Sequence, residues 1–180
     1  MPNRIHIFGA SGTGTTTLAI HLADFLKCVH LDVDDYFWIP TDPPYREIRG
    51  KSERLVLLRR DLEKHADCVF SGCISGWGDS LAPLISTAVF VSVPTDIRMQ
   101  RLLRRERERF GETALAPGGA MHEQHVAFVA WAEAYETADE NTRSRKRHEA
   151  WIRKLDCRVV RIENSDSIHE VVRRLFACIQ

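Results

Sequence analysis

The sequence predicts a three-layer α/β/α domain around a five-stranded parallel sheet. Three observations lead there. Short β-forming runs alternate with segments of helical periodicity along the chain, the pattern of parallel strands joined by right-handed crossovers. Ala88-Val89-Phe90-Val91-Ser92-Val93 is a nearly continuous apolar run, as a strand buried on both faces requires. A glycine-rich loop, Gly9 to Thr16, stands between a first strand and a first helix.

Each element has its own justification. Arg4-Ile5-His6-Ile7-Phe8 alternates and is rich in β-formers, so it reads as the first strand. Thr17 to Leu26 follows as a helix, with Leu18, Leu22, Phe25 and Leu26 at helical spacing. Val29-His30-Leu31 is a second strand, running into the acidic and aromatic stretch Asp32-Val33-Asp34-Asp35-Tyr36-Phe37-Trp38. Residues 39–50 are rich in proline and charge and read as a loop. Ser52 to His65 is helical, with Leu55, Leu58 and Leu62 on one face. Cys68 to Ser71 is a third strand that ends in a turn with three glycines, Gly72, Gly76 and Gly78. Pro94 closes the fourth strand, and Thr95 is expected to cap a helix reaching Phe110. A Pro/Gly loop spans 114–120, and helices are expected over His122–Thr137 and Arg143–Leu155. Arg158 to Ile162 is the last strand, and Ser167-Ile168-His169-Glu170 has the spacing of a capping box for a final helix.

Bulk properties narrow the function. The 180 residues suit one domain. Lysine plus arginine number 25 and aspartate plus glutamate 25, so no global basic field points to nucleic acid. Five cysteines without a C-x-x-C pair are expected to be reduced core thiols, which fits a cytoplasmic location. No apolar run approaches the length of a membrane span, and the N-terminus lacks the pattern of a signal peptide.

The loop Gly9-Ala10-Ser11-Gly12-Thr13-Gly14-Thr15-Thr16 follows G-x-x-x-x-G-K-[ST], except that Thr15 stands where lysine belongs. Its glycines expose backbone N–H groups to a polyphosphate, and the helix N-terminus behind it favours negative charge. Gly9, Ser11, Gly12, Thr13, Gly14, Thr15, Thr16 and Thr17 are therefore the candidate ATP-binding residues, with the Thr16 hydroxyl placed for Mg²⁺. The charge that lysine would bring to the β- and γ-phosphates must come from elsewhere, and arginines are abundant.

Four motifs fall at strand carboxyl ends, where open parallel sheets bind ligands. They are the glycine loop, the acidic cluster, the glycine turn and the helix after the fourth strand. Asp32, Asp34 and Asp35 can hold Mg²⁺ or accept the proton of an attacking hydroxyl; Asp32 is the candidate for metal and Asp34 for acceptor binding and base, with the roles exchangeable. Gly72 and Trp77 are candidates to approach or stack on a substrate. Arg101 and Arg105 lie one helical turn apart, with Arg98 on the same side, and phosphoryl transfer needs such charge. Arg107 and Arg109 read as a solvated face. Arg143 and Arg145 lie in a polar segment suited to fold over the site and exclude water. His122 and His125 lack a third ligand and read as helix surface, and Trp131 and Trp151 as packing residues.

Together these residues resemble the nucleoside-monophosphate-kinase-like branch of P-loop proteins, which includes adenylate and shikimate kinases. The loop Gly9–Thr16 is similar to the ATP loop of that branch, and Arg101-Leu102-Leu103-Arg104-Arg105 to the start of the adenylate kinase lid. The resemblance implies the P-loop kinase fold with a helical lid, adenine and phosphate contacts for Arg101 and Arg105, and catalytic roles for both and for Arg143. Asp32-x-Asp34 and the turn from Gly72 look more like shikimate and gluconate kinases, in which the second Asp binds the acceptor hydroxyl. The chain also resembles small bacterial proteins related to adenylate kinase. By the same likeness a single domain over 1–180 is expected to carry an acceptor-binding insertion near 36–52, where Arg46 and Arg49 would hold an anionic acceptor, and a lid near 105–150, where Arg145 would contact substrate. The nucleotide-acceptor signature of adenylate kinases is absent, replaced by Asp34-Asp35-Tyr36-Phe37-Trp38.

The expected function is an ATP- and Mg²⁺-dependent small-molecule kinase acting on a nucleotide or small hydroxyl acceptor. A nucleotide-binding module for sensing or interaction is the alternative, motivated by Thr15. Its partners would be a nucleotide and a small acceptor, with neither nucleic acid nor membrane.

Overall fold

The computed structural model describes residues 2–179. Five strands form one parallel sheet: β1 (Arg4–Gly9), β2 (Val29–Asp32), β5 (Cys68–Ser71), β6 (Thr87–Ser92) and β7 (Arg158–Glu163), in the order β2-β5-β1-β6-β7. The predicted fold class is the observed one. The registers Ile7↔Ser71 and Ile7↔Val89 hold β1 at the centre. From β1 the chain first builds β2 and β5 on one side, then crosses to β6 and β7 on the other. The reversal leaves a crevice at the carboxyl end of β1.

The alternation of β1 divides its side chains between two cores. Ile5 and Ile7 meet Leu18 and Leu22 of α1 (Thr15–Leu26) and Val171 and Leu175 of α8 (Ile168–Ile179). Phe8 faces the other way, toward Leu58 and Leu62 of α3 (Lys51–Lys64) and Trp151 of α7 (Arg145–Ile152). His6 shares that second face, stacked between Phe8 and Phe70 and wholly buried. A smaller cluster joins Met99 and Leu102 of α4 (Thr95–Phe110) to Ala132 and Trp131 of α6 (His122–Glu133).

Several local expectations change. The loop expected over 39–50 contains a small hairpin: β3 (Trp38–Ile39) pairs antiparallel with β4 (Glu47–Ile48) after a short helix α2 (Val33–Phe37). Pro94, not Thr95, occupies the cap position of α4, and no side chain caps that helix. A short helix α5 (Glu112–Leu115) precedes α6, which ends at Glu133 and continues as a 3₁₀ turn over Ala134–Glu136. Ser144, rather than residue 143, starts α7: its hydroxyl accepts the Arg147 N–H at 3.1 Å. The Ser167 hydroxyl donates to the Glu170 carboxylate at 3.2 Å, a side-chain version of the expected capping box. All five cysteines are free thiols, and no helix among the described residues is long and apolar enough to cross a membrane.

Candidate functional site

The loop after β1 is tied down from within. Thr13 is buried, and both its hydroxyl and its N–H donate to the Ala10 carbonyl, at 2.8 and 3.2 Å. Its side chain therefore shapes the loop rather than facing a ligand. Gly12 and Gly14 take φ of 87° and 81°, a left-handed backbone that suits glycine. Gly9 passes so close to β6 that a side chain would collide with the Val91 carbonyl oxygen and come within 2.9 Å of the Thr13 hydroxyl. Gly14 caps α1 without any side-chain bond, so the first amides of that helix stay open to an anion. Thr15 and Thr16 open α1 partly buried, and Thr17 is exposed.

The Thr16 hydroxyl donates to Asp32 Oδ2 at 3.2 Å, while Asp32 Oδ1 accepts the Asp34 N–H at 3.0 Å and so starts α2. This small capping motif ties the start of α2 to Thr16 of the phosphate loop. Burial holds the Asp32 carboxyl above its usual pKa, with Asp35 adding to the rise, while its bonds to the Asp34 amide and Thr16 oppose it. Asp34 keeps its side chain open to solvent on the cleft wall, yet the protein mass around it withdraws it from bulk water. That desolvation raises its pKa first and the neighbouring Asp32 second; Arg143, Arg105 and Arg109 pull it down. Asp35 is exposed on the same helix, where its charge acts on His30 and Asp32.

Arginines converge on this corner from two segments. Arg143 donates through Nη2 to the Ser11 hydroxyl, and its guanidinium lies 4.7 Å from the Trp131 ring centre. Arg105 is half-buried with its Nε unpartnered, and its charge reaches Asp34. Arg109 stacks on Tyr45, 4.6 Å from the ring centre, and acts on Asp32, Asp34 and Tyr45. Arg109 is exposed, as its sequence context implied, but it lies over Tyr45 and its charge reaches Asp32 and Asp34. Arg101 donates to the Asn164 carbonyl at 3.0 Å, and the Asn164 amide in turn donates to the Thr13 carbonyl at 2.8 Å. Arg101 therefore borders the phosphate loop on the side of β7.

Other predicted residues are engaged within the chain. Arg49 donates to the Tyr36 and Trp38 carbonyls and pairs with Glu53 at 2.6 Å, clamping α2 to the hairpin. Arg46 donates to the Ala120 carbonyl at 3.0 Å, and Gln124 donates to the Tyr45 carbonyl at 3.0 Å. Arg145 makes an exposed pair with Glu136 at 3.4 Å. Trp77 is 8% exposed, and its indole N–H donates to the Cys73 carbonyl at 2.9 Å; Phe37 and the Arg54 guanidinium cover it, so it packs as a core residue. Gly72, at φ 118° just past β5, lies against the first residue of α2: a side chain there would meet Val33 Cβ at 2.7 Å. The sequence left these engagements unread, along with the special position of Trp131 beneath Arg143.

A strand, an open glycine loop and a helix N-terminus at the switch point of a parallel sheet define a P-loop NTPase of the nucleoside-monophosphate-kinase-like branch. Residues 5–114 match the family model AAA_18, an AAA domain, and the chain belongs to that family. It is 42% identical over 175 residues to "Uncharacterized protein YqaC" of Bacillus subtilis (strain 168), covering 97% of this chain and 96% of that protein. Among solved structures it is similar to shikimate kinase from Bacteroides thetaiotaomicron, with a TM-score of 0.55, 18% identity and 98% of each chain covered. A gluconokinase from Sinorhizobium meliloti 1021 superposes with a TM-score of 0.57 at 16% identity, covering 99% of this chain and 91% of that one. A shikimate kinase from Acinetobacter baumannii in complex with shikimate gives 0.59 at 14% identity, covering 98% and 92%. At these identities the likeness is one of fold.

Proposed function

We propose that this protein is an ATP- and Mg²⁺-dependent small-molecule kinase. One observation carries the reading: the Asp34 carboxylate lies in the field of three arginines, one of which also bonds the phosphate loop. Phosphoryl transfer needs little covalent chemistry from a protein; it needs position and positive charge around the migrating group. The acceptor hydroxyl oxygen forms a bond to the γ-phosphorus, the bond from that phosphorus to the β–γ bridging oxygen breaks, and ADP leaves. Asp34 orients the hydroxyl and takes its proton, a role its raised pKa favours. Arg105 and Arg109 face the acceptor side and Arg101 the nucleotide side.

The donor set fits Mg²⁺. The Thr16 hydroxyl and Asp32 carboxylate are hard oxygen ligands within hydrogen-bond distance of each other. No group of three or more metal-binding side chains gathers among the described residues. Mg²⁺ held mainly by phosphate and water requires only one or two protein oxygens. When bound, the ion would offset charge on the phosphate oxygens.

The acceptor is a small molecule with a hydroxyl group; the structural neighbours include enzymes named for shikimate and gluconate. Residues 36–52 form the acceptor side and 105–150 the lid, within one domain spanning 1–180. The test is an ATP-consumption screen over nucleotides, sugar acids and small alcohols, repeated with Asp34→Ala. Loss of transfer with nucleotide binding retained supports the reading, and unchanged transfer removes Asp34 from the mechanism. Thr15 favours a second reading, a binding module without turnover. Tight ATP binding with no acceptor turned over would select it.

A further inference from the structure

Two guanidinium groups bond the same loop residue, one at its hydroxyl and one at its carbonyl. Arg143 donates to the Ser11 hydroxyl, and Arg98 donates through Nη1 to the Ser11 carbonyl at 3.2 Å. Arg98 is 1% exposed, and its Nε and Nη2 have no partner. The phosphate loop lies directly on it: a side chain at Gly12 would meet Arg98 Cγ at 2.9 Å. Arg143 also has an unpartnered Nε. Neither arginine makes an ion pair with a carboxylate among the described residues.

Such an arrangement is electrostatically incomplete. Glu136 and Glu133 act on Arg98 and Asp34 lies in the field of Arg143, yet no carboxylate pairs with either guanidinium, and Arg143 works against the buried charge of Arg98. A polyanion on the loop would relieve both, and forked donors suit phosphate oxygens. The loop itself carries no cation from Gly9 to Thr17. Arg143 is placed with care: the Trp131 ring beneath it is fixed by its N–H donating to Thr142 Oγ1 at 2.9 Å. Next in the chain, Ser144 donates to the Asp139 carbonyl at 2.8 Å and caps α7.

We propose that Arg143 takes over the work of the missing loop lysine, binding the β- and γ-phosphates of a nucleotide, and that Arg98 is the positioning residue that holds Ser11 for it from below. The inference rests on the nucleotide-binding part of the reading above and does not require turnover. It makes the charge on the phosphates a property of the segment leading into α7 rather than of the loop.

The test is a double-mutant cycle between Thr15→Lys and Arg143→Ala, read as dissociation constants for MgATP, MgADP and AMP by titration calorimetry. Arg143→Ala weakens MgATP and MgADP by at least about tenfold, as loss of a charge-assisted contact should, and leaves AMP within about twofold. Thr15→Lys recovers at least about tenfold in the Arg143→Ala background but tightens the parent protein by less than about threefold, the non-additivity expected of two groups serving one site. Recovery by a lysine on α1 also excludes misfolding as the cause of the loss. Equal gains in both backgrounds, or a loss of AMP as large as that of MgATP, overturn the inference while leaving nucleotide binding intact. Failure of the parent protein to bind MgATP overturns both.

Discussion

The Tyr135 hydroxyl lies 2.8 Å from Nδ1 of His148, a ring with no exposed surface. On its other side, Nε2 of the same imidazole meets the Cys73 sulfur at 3.2 Å. A neutral imidazole has one donor and one acceptor nitrogen, and these two neighbours satisfy both. Tyr135→Phe leaves one buried nitrogen unpaired, so unfolding in urea should show a loss of about 1–3 kcal/mol. A loss below the error of the measurement would mean that water or a shifted ring replaces the hydroxyl.

Acid should destabilise this fold early. Burial drives His148 down to about 3, with Arg143, His6 and Arg147 adding to the shift, and drives His6 down to about 4 against its bond to the Gly72 carbonyl. Both rings are neutral in the folded state at pH values where the unfolded chain binds a proton on each. Stability is therefore complete above about pH 6.5 and falls as pH drops from there toward 4, by up to about 1.4 kcal/mol per pH unit for each histidine. Below about 4 only His148 continues the loss. Thermal melts from pH 7 to 4 check this, and His148→Gln should flatten the dependence.

Arg105 is expected to set the acid side of the activity profile. Its charge favours the ionised form of Asp34, so Arg105→Ala raises the Asp34 pKa further. A base with a higher pKa is protonated at higher pH, and the acid limb of kcat/KM moves up. A limb that stays in place while activity falls would remove Arg105 from contact with the base.

Gly12 and Trp77 separate the two kinds of loop residue. Gly12→Ala pushes a side chain into Arg98 and requires a φ of 87° that alanine tolerates poorly. It should lower stability by about 1–3 kcal/mol and weaken ATP binding together. Trp77→Ala should cost about 3–5 kcal/mol of stability as a buried large-to-small change. Trp77→Phe, which preserves much of the packing, should leave acceptor KM unchanged; a large rise in KM would restore the stacking role first expected of it.

The sheet and the phosphate loop were legible for a physical reason. Central parallel strands such as Ala88–Val91 are buried on both faces, and that burial is written as an unbroken apolar run. The glycine loop announces itself because left-handed backbone at Gly12 and Gly14 demands that residue type. Side-chain direction was harder to read. Arg109 looks like any charge on a helix surface until Tyr45, from a distant proline-rich segment, is folded beneath it. Arg98 shares its helix with Arg101 and Arg105, yet only tertiary packing buries it under Ser11. Trp77 sits in a glycine turn without periodicity, so no pattern told which way the indole faced. The hairpin of Trp38–Ile39 with Glu47–Ile48 is too short to leave an alternating signature.

The contacts around Tyr45 set how the cleft can open. Gln124 holds its carbonyl, Arg109 covers its ring, and the adjacent Arg46 reaches the Ala120 carbonyl. These ties join the hairpin segment to α4, α6 and the chain between them. A swing of either wall away from the phosphate loop must break these links or carry the opposite wall with it. Two walls fastened in this way behave as one door, so a motion that frees one end of the cleft frees the other as well.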